Sequence, residues 1–319
     1  MFFREMFFRE GVGAVVQYNR RMHGLMSFRA VPGYAWKRWA TPFHELLSWS
    51  MSSHLLRQRF RTTRFVTSTA GKKMLVDKLG LQFDDVTIAF DDMPSAFDDF
   101  WAFSKLMAEA MQTEPFMHID EDVFLWEDLP VDIFQAPVIV QSYEPLLAEI
   151  YHLTDIEQKL KYLPPAWAYG RKLTNAICAG VVGGTDLEFF RDYVQQATEF
   201  VAHPSNLEPW QRLDRHFGMC VAEQYLLLAV ATQRGVKVRR LIQSDIYSKA
   251  GSEEANALGY THIWGAKPRP ATARLVEDYA RRYFPAMVEQ CSRIAQDELG
   301  YQPGKPPPAD RPDQCVNCI

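Results

Sequence analysis

The chain has 319 residues, with 35 Lys plus Arg against 39 Asp plus Glu and a net charge of -4. A mildly acidic chain lacks the basic face that a nucleic-acid backbone demands, which argues against nucleic acid as the main partner. With 47% apolar and 23% charged residues it carries too much hydrophobe for a disordered chain, and its length suits one large domain or two small ones.

Five cysteines in a chain this long do not make a disulfide framework. Cys178, Cys220 and Cys291 lie in apolar or helical surroundings and read as small core residues. No uninterrupted apolar run is long enough for a membrane span. Arg4, Glu5, Arg9 and Glu10 interrupt the first Phe residues, so a secretory leader is not expected and the cytoplasm is the default location.

The chain opens on a duplicated Met-Phe-Phe-Arg-Glu, and residues 1–12 read as an N-terminal extension. Ala14 to Tyr18 suggest a first buried strand, and 20–43 read as irregular. His44 to Phe60 carry leucines at helical spacing. Arg64 to Ser68 predict a strand, Gly71 to Leu79 a short helix closed by Gly80, and Asp85 to Phe90 another strand. A helix follows over Asp98 to Gln112, then strands at Phe116 to Ile119 and Pro137 to Gln141. Strand and helix alternate here, which implies βαβ units and a mostly parallel sheet. Residues 145–162 look helical, and Asn175 to Gly184 read as small and flexible. Leu187 to Ala202 and Cys220 to Thr232 predict helices, Val236 to Gln243 a strand, and Ala271 to Leu299 one long amphipathic helix. Residues 300–319 hold five prolines and a C-x-x-C (Cys315, Cys318), and read as a flexible tail with incidental thiols.

The sharpest chemical signal is Phe116-Met-His-Ile-Asp120-Glu-Asp122-Val-Phe-Leu-Trp126. Carboxylates at i and i+2 after an apolar strand can both reach one hard cation, and Mg²⁺ or Mn²⁺ prefers such oxygen ligands. Acidic turns after strands are common, but this one lies between two core-like segments, where bare carboxylates are expensive to bury. A second signal is Gly259-Tyr-Thr-His262-Ile-Trp-Gly265-Ala-Lys267-Pro268. A neutral imidazole can complete a metal shell, and a lysine can neutralise phosphate. The same segment also suits a surface loop with an incidental histidine.

Asp120-Glu-Asp122 together with His262-x-x-Gly265-x-Lys267-Pro268 resembles the retaining family 8 glycosyltransferases of GT-A fold. The chain resembles still more a poorly characterised bacterial glycosyltransferase-like family. That likeness rests on Leu47-Ser-Trp-Ser50, Lys78-Leu-Gly-Leu81, Pro115 to Trp126, Gly180 to Asp186 and Glu223-Gln-Tyr225, in that order. It covers most of residues 14–268. Two departures stand out: the Gly-to-Lys spacing is one residue shorter than family 8 usually has, and Cys178 occupies a position where the bacterial domains usually carry Asn.

The resemblance implies a single large α/β domain over 13–299, with a GT-A-like, mostly parallel central sheet flanked by helices. It implies a metal-dependent glycosyltransferase using a nucleotide diphosphate sugar, with a UDP-sugar as donor and an unknown acceptor. Asp120, Asp122 and His262 would hold Mn²⁺ or Mg²⁺. Lys105, Lys267 and the Gly265 backbone would meet the donor, and Gly183 and Gly184 would line the sugar side. Asp186 and Glu223 would be the catalytic acids. Each has a plainer role open to it: Lys105 an exposed helix lysine, Glu223 an ordinary helix acid, Asp186 the N-cap of the next helix. The rival functions are a nucleotidyltransferase on a similar sheet and a non-catalytic nucleotide-sugar-binding relative.

Overall fold

The computed structural model describes residues 22–31, 34, 36 and 38–304. The duplicated pentapeptide, the strand expected at Ala14 to Tyr18 and the Cys315/Cys318 pair lie outside the described residues. The first described strand is β1 (His23–Phe28), in the stretch expected to be irregular. Its His, Gly and Met are weak strand formers, and pairing with strands on both sides overrides that weakness.

Helix α1 (Pro42–Arg59) follows, started by Pro42 at its first position and by Thr41, whose hydroxyl accepts from the His44 amide. Strand β2 (Thr63–Thr67) leads to the short helix α2 (Thr69–Gly71), which continues as π-helix through Lys72–Lys78, and then to β3 (Asp85–Ile88). Helix α3 (Phe103–Ala110) precedes β4 (Phe116–Ile119) and β5 (Val123–Leu125). Strand β6 (Val138–Pro145) and the short helices α4 (Ala148–Tyr151), α5 (Leu153–Lys159) and α6 (Trp167–Gly170) lead into β7 (Asn175–Gly184). The C-terminal half holds α7 (Leu187–Ala202), α8 (Arg215–Cys220), a π-helical stretch Val221–Tyr225, α9 (Leu226–Arg234), β8 (Val238–Arg240), α10 (Lys249–Ala257) and β9 (Tyr260–His262). It closes on α11 (Pro270–Tyr283) and α12 (Pro285–Leu299). The one long helix expected at the end is therefore two, because Pro285 has no amide to donate.

The described strands form a seven-stranded sheet in the order β3-β2-β1-β4-β7-β6-β8 and a two-stranded ribbon β5-β9. All pairs in the large sheet are parallel except those of β7, which runs antiparallel to β4 and β6. The expected mixed α/β fold, with a mostly parallel central sheet between helices in one domain, is the one observed.

Neighbouring residues on a strand supply opposite faces of the sheet. Leu25, Val66, Phe116, Val138 and Val182 pack with α3, α7 and α9. Their neighbours Met26, Phe65, Met117, Ile139 and Val181 pack with α1, α11 and α12. A strand buried on both faces reads as a continuous apolar run, and β4 and β6 were legible for that reason. Strand β7 was not. Its Ala and Gly residues favour no strand, yet it is an interior strand paired on both sides, with β4 and β6. A Cβ on Gly183 would come within 2.2 Å of the Phe116 carbonyl oxygen, so the close approach of β4 excludes a side chain there.

Candidate functional site

Asp120, Glu121 and Asp122 form the turn between β4 and β5, at the carboxyl end of a central strand of the sheet. Ligands of open α/β sheets bind at such ends. The turn is held from below by α1, where Ser48 Oγ donates to the Glu121 carbonyl at 2.7 Å. Ser52 Oγ reaches the carbonyls of Asp120 at 3.1 Å and Val123 at 2.8 Å. That explains a helix with buried serines among its leucines: two of the hydroxyls satisfy backbone carbonyls of the turn.

The ribbon brings in the histidine. Val123 of β5 pairs with His262 of β9, and the Ile263 amide donates to the Asp122 carbonyl at 3.1 Å. One ligand atom each from Asp120, Asp122 and His262 then falls within 4.8 Å of the others. His262 Nε2 lies 3.5 Å from Asp122 Oδ1. Two carboxylates and an imidazole match the ligand preferences of Mn²⁺ and Mg²⁺. Asp122 is buried yet its carboxyl is held ionised, the form in which it can ligate a cation. The residues present therefore fit the divalent ion the resemblance implies.

Lys267 also belongs here. Its Nζ stands 3.0 Å from Asp122 Oδ2 and 3.2 Å from Glu121 Oε1, and Arg38 lies 3.6 Å from Glu121. Burial alone would raise the Asp122 carboxyl, but the Lys267 ammonium outweighs it and holds it well below the usual range. Glu121 is likewise lowered, burial being overcome by Lys267 and Arg38. Gly265 sits in the 3₁₀ turn Trp264–Ala266 that delivers Lys267 to the acids.

Lys105 is not the exposed helix lysine that was one of its readings. Its side chain is 8% exposed, and Nζ reaches Asp120 Oδ1 at 2.7 Å, Glu223 Oε1 at 2.9 Å and the Ala179 carbonyl at 2.5 Å. Burial would lower this ammonium, but Asp120, Glu223 and Glu109 hold it above its ordinary value, so it stays charged. Glu223 is 3% exposed and faces Lys105, so it is no ordinary solvated helix acid. It comes from the π-helical stretch Val221–Tyr225, whose extra residue per turn re-aims a side chain.

The sugar-side group is misplaced in the sequence reading. Gly183 and Gly184 pair with Met117 and Phe116, at the amino end of β4. At about 3.3 Å per residue that is roughly 10 Å from Asp120. Asp186 accepts from the Phe189 amide at 2.9 Å and is the N-cap of α7. Asp186→Ala is expected to cost about 1 kcal/mol of stability and to leave cation binding untouched. Chemical denaturation beside a Mn²⁺ titration measures both.

The reversed strand instead presents Cys178 and Gly180 to the site. The Asp120 amide donates to the Gly180 carbonyl at 3.1 Å. A Cβ on Gly180 would fall 2.5 Å from His262 Cε1 and 2.6 Å from Gln141 Oε1. Cys178 Sγ accepts from the Trp264 indole at 2.9 Å. Trp264 holds a φ of 50°, a left-handed backbone that costs a non-glycine residue about 1–3 kcal/mol, and its ring packs at a tilt against His262, 4.9 Å between centroids. No spacing or motif pointed to Gln141 or Trp264, because their place depends on strand pairing.

Further along β6, the Tyr151 hydroxyl donates to Glu144. Burial pushes this carboxyl up to about 7, with the Tyr151 hydrogen bond opposing and Glu223 adding to the rise. A raised folded-state value means that the native protein binds the proton more tightly than the unfolded chain. Stability from Glu144 is thus fully present below about pH 4.3, falls as pH rises toward 7, and flattens above it. Glu144→Gln is expected to flatten that part of the pH–stability curve, read by urea unfolding at pH 5, 6 and 8. An unchanged slope would refute the assignment.

One family model matches residues 35–294, most of the chain. The chain belongs to the DUF6734 family, a family of unknown function. None of the curated proteins matches it. The matched range contains every site residue of this DUF6734 chain named above, from Arg38 to Lys267. No helix among the described residues is long and apolar enough to cross a membrane.

Proposed function

We propose that this DUF6734 protein is a metal-dependent glycosyltransferase that takes a sugar from a nucleotide diphosphate donor, a UDP-sugar. The observation that carries the reading is the convergence of Asp120, Asp122 and His262 within 4.8 Å at the carboxyl end of β4, with the Lys267 ammonium beside them. A pyrophosphate is the ligand class such a device suits, since a chain of net charge -4 needs local positive charge to hold a polyanion.

Asp120, Asp122 and His262 would hold Mn²⁺ or Mg²⁺, which when bound supplies charge neutralisation to the leaving diphosphate. Lys267 adds a second positive charge at the same place, and can exchange Asp122 and Glu121 for phosphate oxygens. Lys105 and Glu223 act on the reaction only through Asp120, whose carboxylate they fix from below. Positive charge aimed in advance at a developing anion is usually a large part of catalysis.

The test is a thermal-shift matrix of Mn²⁺, UDP and UTP, followed by mass-spectrometric turnover of a sugar-nucleotide panel. The expected result is a UDP shift that requires Mn²⁺ and hydrolysis or transfer from a UDP-sugar. Turnover confined to the triphosphate would replace the reading with a nucleotidyltransferase. A UDP-sugar shift without turnover would leave a binding protein.

A further inference from the structure

We propose that Gln141 is the residue that fixes the proton of His262 and so makes its Nε2 a metal ligand; this rests on the metal reading above. Gln141 lies on β6, is fully buried and belongs to none of the motifs in the sequence. Its Oε1 accepts from the Tyr260 hydroxyl at 2.7 Å, and His262 Nδ1 stands 2.8 Å from the same oxygen. A carbonyl oxygen can only accept, so the proton of a neutral imidazole must sit on Nδ1. That leaves the Nε2 lone pair facing Asp122 Oδ1, 3.5 Å away, on the side where Asp120 also converges.

The other tautomer would point Nε2–H at Asp122. It would tie up one carboxylate oxygen and remove the imidazole as a ligand in a single step. Metal-bound histidines commonly donate their second ring N–H to an oxygen acceptor, and losing that acceptor typically costs 10–100-fold in metal affinity. The surroundings are built for this contact. Gly180 has no side chain where a Cβ would lie 2.6 Å from both Gln141 Oε1 and His262 Nδ1, and Trp264 closes the far side of the ring. The amide Nε2 of Gln141 has no partner, so the side chain is held by its oxygen alone.

The experiment titrates Mn²⁺ alone into the full chain by calorimetry, for wild type, Gln141→Met, Gln141→Glu, His262→Ala and the double variant Gln141→Met/His262→Ala. Gln141→Met should weaken Mn²⁺ by about 10–100-fold. Gln141→Glu, which keeps an acceptor, should retain wild-type affinity or better. The double variant should bind no worse than His262→Ala, because the effect passes through the imidazole. Nitrogen NMR of His262 in the metal-free protein should show the Nδ1–H tautomer in wild type and Gln141→Glu.

Wild-type affinity in Gln141→Met, a further loss in the double variant, or an Nε2–H tautomer in wild type would each overturn the proposal. If His262→Ala weakens Mn²⁺ while Gln141→Met does not, this proposal alone falls. If wild type takes up no Mn²⁺, the metal reading falls and this proposal with it. The wild-type spectrum and the Glu variant keep the question decidable should Gln141→Met fail to fold.

Discussion

Asp122→Asn should weaken Mn²⁺ binding by more than about 100-fold, the upper end of what the loss of a mere outer-shell partner costs. It should also abolish the metal-dependent UDP shift. The substitution keeps the shape of the side chain and removes its charge. Asp122 is the fully buried member of the cluster, and it touches both His262 and Lys267. Its loss therefore takes away one ligand and leaves Lys267 with Glu121 as its remaining close carboxylate. Calorimetric titration with Mn²⁺, beside circular dichroism as a control for the fold, reads the outcome. Near-wild-type affinity would exclude the Asp-Asp-His cluster as the cation site.

Lys105→Met should be the most destabilising substitution of the site, by about 3–5 kcal/mol, the usual cost of stranding buried charges when one partner of an ion pair is removed. Asp120 and Glu223 would then face each other without a cation. Burial already raises both carboxyls against the pull of Lys105. In the variant the folded-state values rise further above the unfolded ones. Stability is then fully present below the unfolded value and is lost as pH rises through the folded one. The loss relative to wild type should accordingly be larger at pH 8 than at pH 5, measured by urea unfolding at both. Adding Glu223→Gln should restore part of it, because one of the two stranded charges is gone. A loss that is small, or the same at both pH values, would show that Lys105 is not the counter-ion of this pair.

How much was legible follows from how far each signal reaches along the chain. The turn at Asp120 to Asp122 was readable because a mostly apolar strand precedes it and its two carboxylates are two residues apart. The helix Leu187–Ala202 was readable from end to end, because its apolar period and its capping aspartate are both local. Asp186 shows the opposite hazard. An acid after a glycine pair suits a sugar site and a helix cap equally, and only its hydrogen bond to Phe189 separates them. Lys105 was picked out by position on the preceding helix, but its partner was not foreseeable. Glu223 meets it from a π-helical stretch whose aim a helical wheel does not reproduce.

By itself the sequence determined the alternation of strand and helix, the mostly parallel character of the sheet and the identity of the acids and cations that gather at the end of β4. Those are matters of apolar period and residue type, which act over a few residues. The tertiary structure decided which of these residues meet. Pairing of β5 with β9 carries His262 to Asp122 across nearly half of the chain. The direction of β7 decides the rest. Because β7 runs antiparallel to β4, its first half, with Cys178 and Gly180, lies at the carboxyl end of β4 beside Asp120, and its last residues, Gly183 and Gly184, lie at the far end. A strand has the same residue pattern whichever way it runs. Hydrogen bonding to its neighbours sets its direction, and that is a property of the assembled sheet.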